Sequence, residues 1–179
     1  MSDTTSNTYF VKALDNYPFD LEQTIESLNY ALSYDENNAD VHCLMAEFYL
    51  NELNDFEAAQ HHLEEALANN INHIKSYYCF IKLYIIIEDY KKATNLIDFA
   101  NTVKGISKTF LNLQRALILE KQGKLIGADL FVRNALTTCI CEDELHNLKN
   151  VLNRIKYKMK LGKPKMYSKK VKKNKKKQK

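Results

Sequence analysis

The chain has 179 residues, 45% hydrophobic and 27% charged, a balance typical of a globular protein whose core is large enough to need no disulfides. Four Gly and two Pro leave too few turn residues for the many short strands of a sandwich or barrel. The net charge of +4 hides a segregation: ten of the 26 basic residues fall in residues 163–179 with no acid, and the remaining sixteen face 22 acids in residues 1–162.

Residues 1–7 are polar, with neither a basic residue nor an apolar run, so no signal peptide is expected there and a flexible N-terminus is. A repeat domain is predicted over residues 8–141. Its most apolar run, Tyr77 to Ile87, is interrupted by Lys82 and falls well short of the roughly 18 apolar residues of a membrane span. A cytoplasmic location is expected. There Cys43, Cys79, Cys139 and Cys141 would be reduced thiols; no CxxC pair points to zinc, and packing is the simplest role for them.

The repeat is visible in four columns. Ala31, Ala66, Ala100 and Ala135 are spaced by 35, 34 and 35 residues. Seven residues before each stands Thr24, Ala59, Ala93 or Ala128, and three residues before those comes Leu21, Phe56, Tyr90 or Leu125. One residue earlier still stand Asp20, Asp55, Asp89 and Lys124. Residues three, four and seven apart share one helix face, so Phe56, Ala59, Leu63 and Ala66 form a stripe, as do Tyr90, Ala93, Ile97 and Ala100. Alanine in the stripe admits a close neighbour helix. Asp55 and Asp89 sit where a helix N-cap belongs. A partner helix precedes each stripe: Val41–Leu53, Ile74–Ile87 and Phe110–Lys121, the last ending at Gly123.

Helix pairs at this period with these columns resemble the tetratricopeptide repeat family over roughly residues 5–140, as four repeats. The third is the best match, with Tyr77, Phe80, Tyr84, Tyr90, Ala93 and Ala100 at the signature positions. The second matches with His42, Met45, Ala46, Tyr49, Phe56, Ala59 and Ala66 if one extra residue is allowed in its inner turn. The fourth keeps Ala116, Gly123, Ala128 and Ala135, and the first is degenerate. The proline that usually closes a repeat is replaced by Glu36, Ile71, Gly105 and Ile140. Residues 142–161 read as a capping helix with Leu145, Leu148, Leu152 and Ile155 in a stripe, and residues 162–179 as a lysine-rich disordered tail. The predicted fold class is therefore all-α: an α-solenoid of about four helix–turn–helix repeats, a C-terminal cap and a basic tail.

No Gly-rich phosphate loop, HExxH or GxSxG is present, and His61-His62 point about 100° apart on a helix, which is poor geometry for one metal. A non-enzyme is expected, with no cofactor, no metal and no small-molecule substrate. By the resemblance, the first helix of each pair lines a concave groove that binds a protein or peptide segment. The lining would be Cys43, Glu47, Leu50 and Asn51 from the second repeat, and Lys75, Tyr78, Lys82, Ile85 and Ile86 from the third. Phe110, Leu113, Leu117, Glu120 and Lys121 would come from the fourth. The alternative for Tyr78, Ile85 and Ile86 is packing against the fourth repeat or the cap. The family's carboxylate-clamp positions hold Tyr9, Ala13, Leu44, Lys75 and Cys79, of which only Lys75 fits. The tail (Lys169, Lys170, Lys172, Lys173, Lys175, Lys176, Lys177 and Lys179) offers a polyanion contact for RNA, a ribosome or an anionic membrane, through charge alone.

Overall fold

The computed structural model describes residues 2–161 and is helical throughout them. Four antiparallel pairs follow in order: α1 (Ser2–Asn16) with α2 (Leu21–Tyr34), α3 (Ala39–Phe48) with α4 (Phe56–Asn69), α5 (Ile74–Ile86) with α6 (Tyr90–Ala100), and α7 (Lys108–Lys121) with α8 (Leu125–Thr138). A long helix, α9 (Glu142–Leu161), packs on α8. Among the described residues no strand occurs, and no helix is long and apolar enough to cross a membrane.

The repeat columns are the packing seam. Thr24, Ala59, Ala93 and Ala128, and their partners Ala31, Ala66, Ala100 and Ala135, are all 0% exposed. Between each pair lies a large residue at the same depth: Leu28, Leu63, Ile97 or Val132. Replacing Ala93 or Ala100 by Leu therefore forces a bulkier side chain into a full crossing. A loss of about 1–3 kcal/mol is expected in urea unfolding, against less than about 0.5 for Lys91→Ala on the surface. Equal, small losses at all three sites would show that the columns are not the seam.

Asp20, Asp55 and Asp89 each accept a bond from the backbone N–H three residues on, at 3.0 Å, capping α2, α4 and α6. Lys124, in the same column, makes no such bond. Just before three of these four residues stand Asn54 (φ 54°), Glu88 (φ 61°) and Gly123 (φ 74°), all left-handed. The tight turn between paired helices imposes that conformation; only in the fourth repeat does glycine supply it at no steric cost.

The extra residue of the second repeat is absorbed by a π-helical turn over Tyr49–Leu53 that continues α3. Widening one turn lets α4 start in register without disturbing the seam. The junctions that lack proline are fastened differently. Tyr77 Oη donates to the carbonyl of Ile71 at 2.8 Å, and the ring nitrogen Nε2 of His42 lies 2.8 Å from the carbonyl of Glu36. Both bonds reach six residues back from the same repeat position. At the third junction Gly105 has φ 94°, and a Cβ there would lie 2.9 Å from Ile74 Cδ1, so glycine is required both by backbone and by space.

One boundary is corrected. Residues 2–7 belong to α1 rather than preceding it as a flexible segment. Ser6 is buried and its hydroxyl donates to the carbonyl of Ala31 at 3.0 Å. Low local hydrophobicity concealed a helix start that a buried polar anchor holds in place. The expected tail over residues 162–179 lies outside the described residues.

Candidate functional site

The first helices α3, α5 and α7 lie side by side and wall a cavity of about 330 Å³. Its lining comes from α3 and its π-turn (Glu47, Leu50, Asn51), from α5 (Lys75, Tyr78, Cys79, Lys82) and from α7 (Phe110, Gln114). Seven predicted groove residues thus meet around one space: Glu47, Leu50, Asn51, Lys75, Tyr78, Lys82 and Phe110. The floor is apolar. Leu50 is buried, and the rings of Tyr78 and Phe110 lie 4.4 Å apart at 48°. Tyr78 Oη also accepts the N–H of Ser107 at 3.0 Å, which pins the ring against the start of α7.

The polar wall is a ladder across repeats. Lys75 Nζ lies 2.8 Å from Glu47 Oε2, so that cation is neutralised. Lys82 Nζ donates to Asn51 Oδ1 at 2.8 Å, and Asn51 in turn donates to Tyr17 Oη, at the end of α1, at 3.2 Å. Among the described residues Lys82 has no carboxylate partner, so its exposed ammonium is the positive point of the cavity.

The remaining predicted lining residues fall elsewhere. Leu113 and Leu117 pack against the cluster that α9 forms with α8, around Leu148, Val151, Leu152 and Ile155. Glu120 is buried rather than solvated: Arg154 donates to both of its oxygens at 2.9 and 2.8 Å, and Lys158 at 2.7 Å. The Arg154 guanidinium and then the Lys158 ammonium hold its carboxyl down at about 2. With Ile85 and Lys121 these groups wall a second space of about 290 Å³. The cap therefore lies along the fourth-repeat end of the face as well as on α8. Ile86 is 43% exposed and lines neither space, and Cys43 is wholly buried in the seam between α3 and α5. For the three residues left open by the sequence, Tyr78 packs on the fourth repeat, Ile85 is buried against the cap end, and Ile86 is free.

A larger cavity, of about 400 Å³, opens where α6, α7 and α8 meet, with Lys91, Arg115 and Lys124 in its wall; none of the predicted groove residues line it. His61-His62 is not a metal pair. His62 Nδ1 faces His42 Nδ1 at 3.0 Å and its ring stacks on Tyr49, 5.5 Å away. Burial, helped by the neighbouring histidines, holds its pKa at about 4, so it is neutral at physiological pH. Among the described residues no group of three His, Cys, Asp or Glu could hold a metal ion.

The same arrangement recurs in solved structures. PilF of Pseudomonas aeruginosa superposes with a TM-score of 0.76 at 17% identity, covering 89% of this chain and 71% of that one. A tetratricopeptide repeat protein of Thermus thermophilus gives 0.68 at 16% identity, covering 86% and 82%. The chain has the tetratricopeptide-repeat fold. PilW, a type IV pilus biogenesis factor, agrees at 0.70 and 19% identity, covering 87% and 74%. No protein-family profile and no curated protein sequence matches the chain, so the likeness is one of fold.

Within this tetratricopeptide solenoid, Cys79, Gln114 and Tyr17 are the site-facing residues that helical spacing did not place in the groove. Cys79 was signalled, standing one turn after Lys75 on the same helix face. Tyr17 was not: it ends the degenerate first repeat, and only the packing of α1 beside α3 brings it to Asn51.

Proposed function

We propose that the chain is a non-catalytic scaffold that binds a segment of another protein against the face formed by α3, α5 and α7. The observation that carries this reading is the cavity to which three successive repeats contribute: an apolar floor of Leu50, Tyr78 and Phe110 under a rim of Lys75, Lys82, Glu47 and Asn51. A short apolar anchor flanked by polar groups is the pattern of a peptide-recognition hot spot. The protein supplies its own precedent, because α9 lays an apolar stripe against α8 and reaches Glu120 on α7 with two cations.

The test is capture from native lysate by residues 1–162, compared with the same chain carrying Tyr78→Ala or Lys82→Glu. Each variant should lose at least about tenfold in affinity for a captured partner, about 1.4 kcal/mol or more, while its circular dichroism is unchanged. Ile86→Asp, away from the cavity, should bind as the parent does. If all three bind alike, the face is not the docking surface.

A second reading rests on the ten lysines of residues 163–179, which stand without a single acid beside a body of net charge −6. Such a segment reads phosphate and not base sequence, and it would attach the scaffold to RNA or a ribosome. Full-length protein should bind single-stranded RNA with a log–log salt slope of about −0.7 per phosphate neutralised. Deleting residues 163–179 should abolish that binding; unchanged RNA, ribosome and liposome association after deletion would leave the lysines inert.

A further inference from the structure

Two thiols meet in the seam between the second and third repeats. Cys43 on α3 is 0% exposed, and Cys79 on α5 is 7% exposed at the wall of the groove cavity. Both belong to one core cluster, and both are free. Their surroundings are unlike those of a packing cysteine. The Cys79 thiol donates to Glu47 Oε1 at 3.2 Å. The Cys43 sulfur is within hydrogen-bonding reach of Cys79, His73 and Ser76, with Lys75 nearby. His73 is itself oriented, with Nδ1 2.7 Å from Ser76 Oγ and Nε2 3.1 Å from Asp40 Oδ1.

The two thiols are thereby made unequal. The Cys79 hydrogen bond lowers the pKa of Cys43 against the opposing effect of burial, with His73, Ser76 and Lys75 adding to it. The Cys43 hydrogen bond, burial and Glu47 raise that of Cys79. His73 is raised in step, first through its bond to Cys43. A thiolate beside an imidazolium and a protonated thiol is the arrangement of an attacking and a resolving cysteine.

We propose that Cys43 and Cys79 form a hydroperoxide-responsive dithiol that closes into a disulfide joining the first helices of the second and third repeats. The Cys43 thiolate attacks the peroxide oxygen, the O–O bond breaks, and the departing hydroxide or alkoxide takes the proton of His73. Sulfur is oxidised by two electrons to the sulfenic acid. Cys79 then passes its proton to Glu47 and attacks the Cys43 sulfur; the S–O bond breaks and hydroxide leaves, regaining that proton as water. The sum is two thiols and one hydroperoxide giving one disulfide, one water and one alcohol, or a second water when the oxidant is hydrogen peroxide. Peroxide enters from the groove side, past Cys79. The proposal stands independently of any partner in the groove.

The experiment uses the full chain with Cys139→Ser and Cys141→Ser, which removes the two more exposed thiols. Native protein is treated with about one equivalent of hydrogen peroxide, alkylated and mapped by mass spectrometry. The expected result is a Cys43–Cys79 linked peptide pair, reversible by reductant, with the loss of two alkylatable thiols per chain. Adding Cys79→Ser, whose hydroxyl keeps a donor toward Glu47, should halt the reaction at a dimedone-reactive Cys43. Its rate should change little between pH 7 and 8.5, where an ordinary thiol would gain roughly tenfold in thiolate. Recovery of both thiols intact from folded protein overturns the proposal, as does sulfinic acid on Cys43 without a link. A link formed only in denaturant overturns it as well. If Cys79→Ser fails to fold, the first arm, with both thiols present, still decides.

Discussion

Tyr77→Ala is expected to destabilise the protein by about 3–5 kcal/mol, the range for emptying a buried aromatic site. Tyr77 is 1% exposed at the centre of the largest core cluster, with the Phe99 ring 6.1 Å away. Two contributions can be separated. Tyr77→Phe keeps the ring and removes only the bond to the Ile71 carbonyl, worth about 1 kcal/mol, because Ile71 is itself exposed and water can replace the donor. The remainder is cavity. Urea unfolding should show a lower midpoint with an unchanged slope for both variants. A loss under about 1 kcal/mol for Tyr77→Ala would mean that the ring is not a core element.

Ile155→Asp is expected to release α9 at a cost of about 3–5 kcal/mol in its docking, since it places a carboxylate at a 0% exposed position among Leu148, Val151, Leu152 and Val132. The consequence should be local. In a solenoid each unit is stabilised by its neighbours, and α9 packs mainly on α8 of the last repeat. Hydrogen exchange should lose protection across α9 and partly across α7 and α8, and keep it from α3 to α6. Helical circular dichroism should fall by no more than the 20 residues of α9. Cooperative unfolding of the whole chain would contradict this picture, and so would an unchanged α9.

Legibility in the sequence followed how local the cause was. The seam was readable because overpacking at an alanine is set by volume at one position, and the period repeats that demand: Ala59, Ala93 and Ala128 are buried alike. The caps at Asp55 and Asp89 were readable for the same reason, since the N–H they satisfy lies three residues on. The one-residue excess near Tyr49 was visible as a mismatch in spacing, although its form, a π-helical turn, was not.

The site divides along the same line. That Glu47, Leu50, Asn51, Lys75, Tyr78, Lys82 and Phe110 share a face follows from helical spacing within each first helix, once the pairs are stacked. What Glu120, Leu113 and Leu117 do could not follow from spacing. Their partners, Arg154, Lys158 and Ile155, lie more than thirty residues away on a helix whose landing site depends on packing against α8. The Cys43–Cys79 meeting is of the same kind: two ordinary cysteines in sequence, made chemically unequal by a histidine and a carboxylate from neighbouring repeats. Sequence alone determined the helix pairs, the seam and the charge-segregated tail, because those depend on side-chain volume, helical period and composition. Tertiary structure alone decided which part of the first-helix face stays open and which thiols meet, because both are set by contacts between helices distant along the chain.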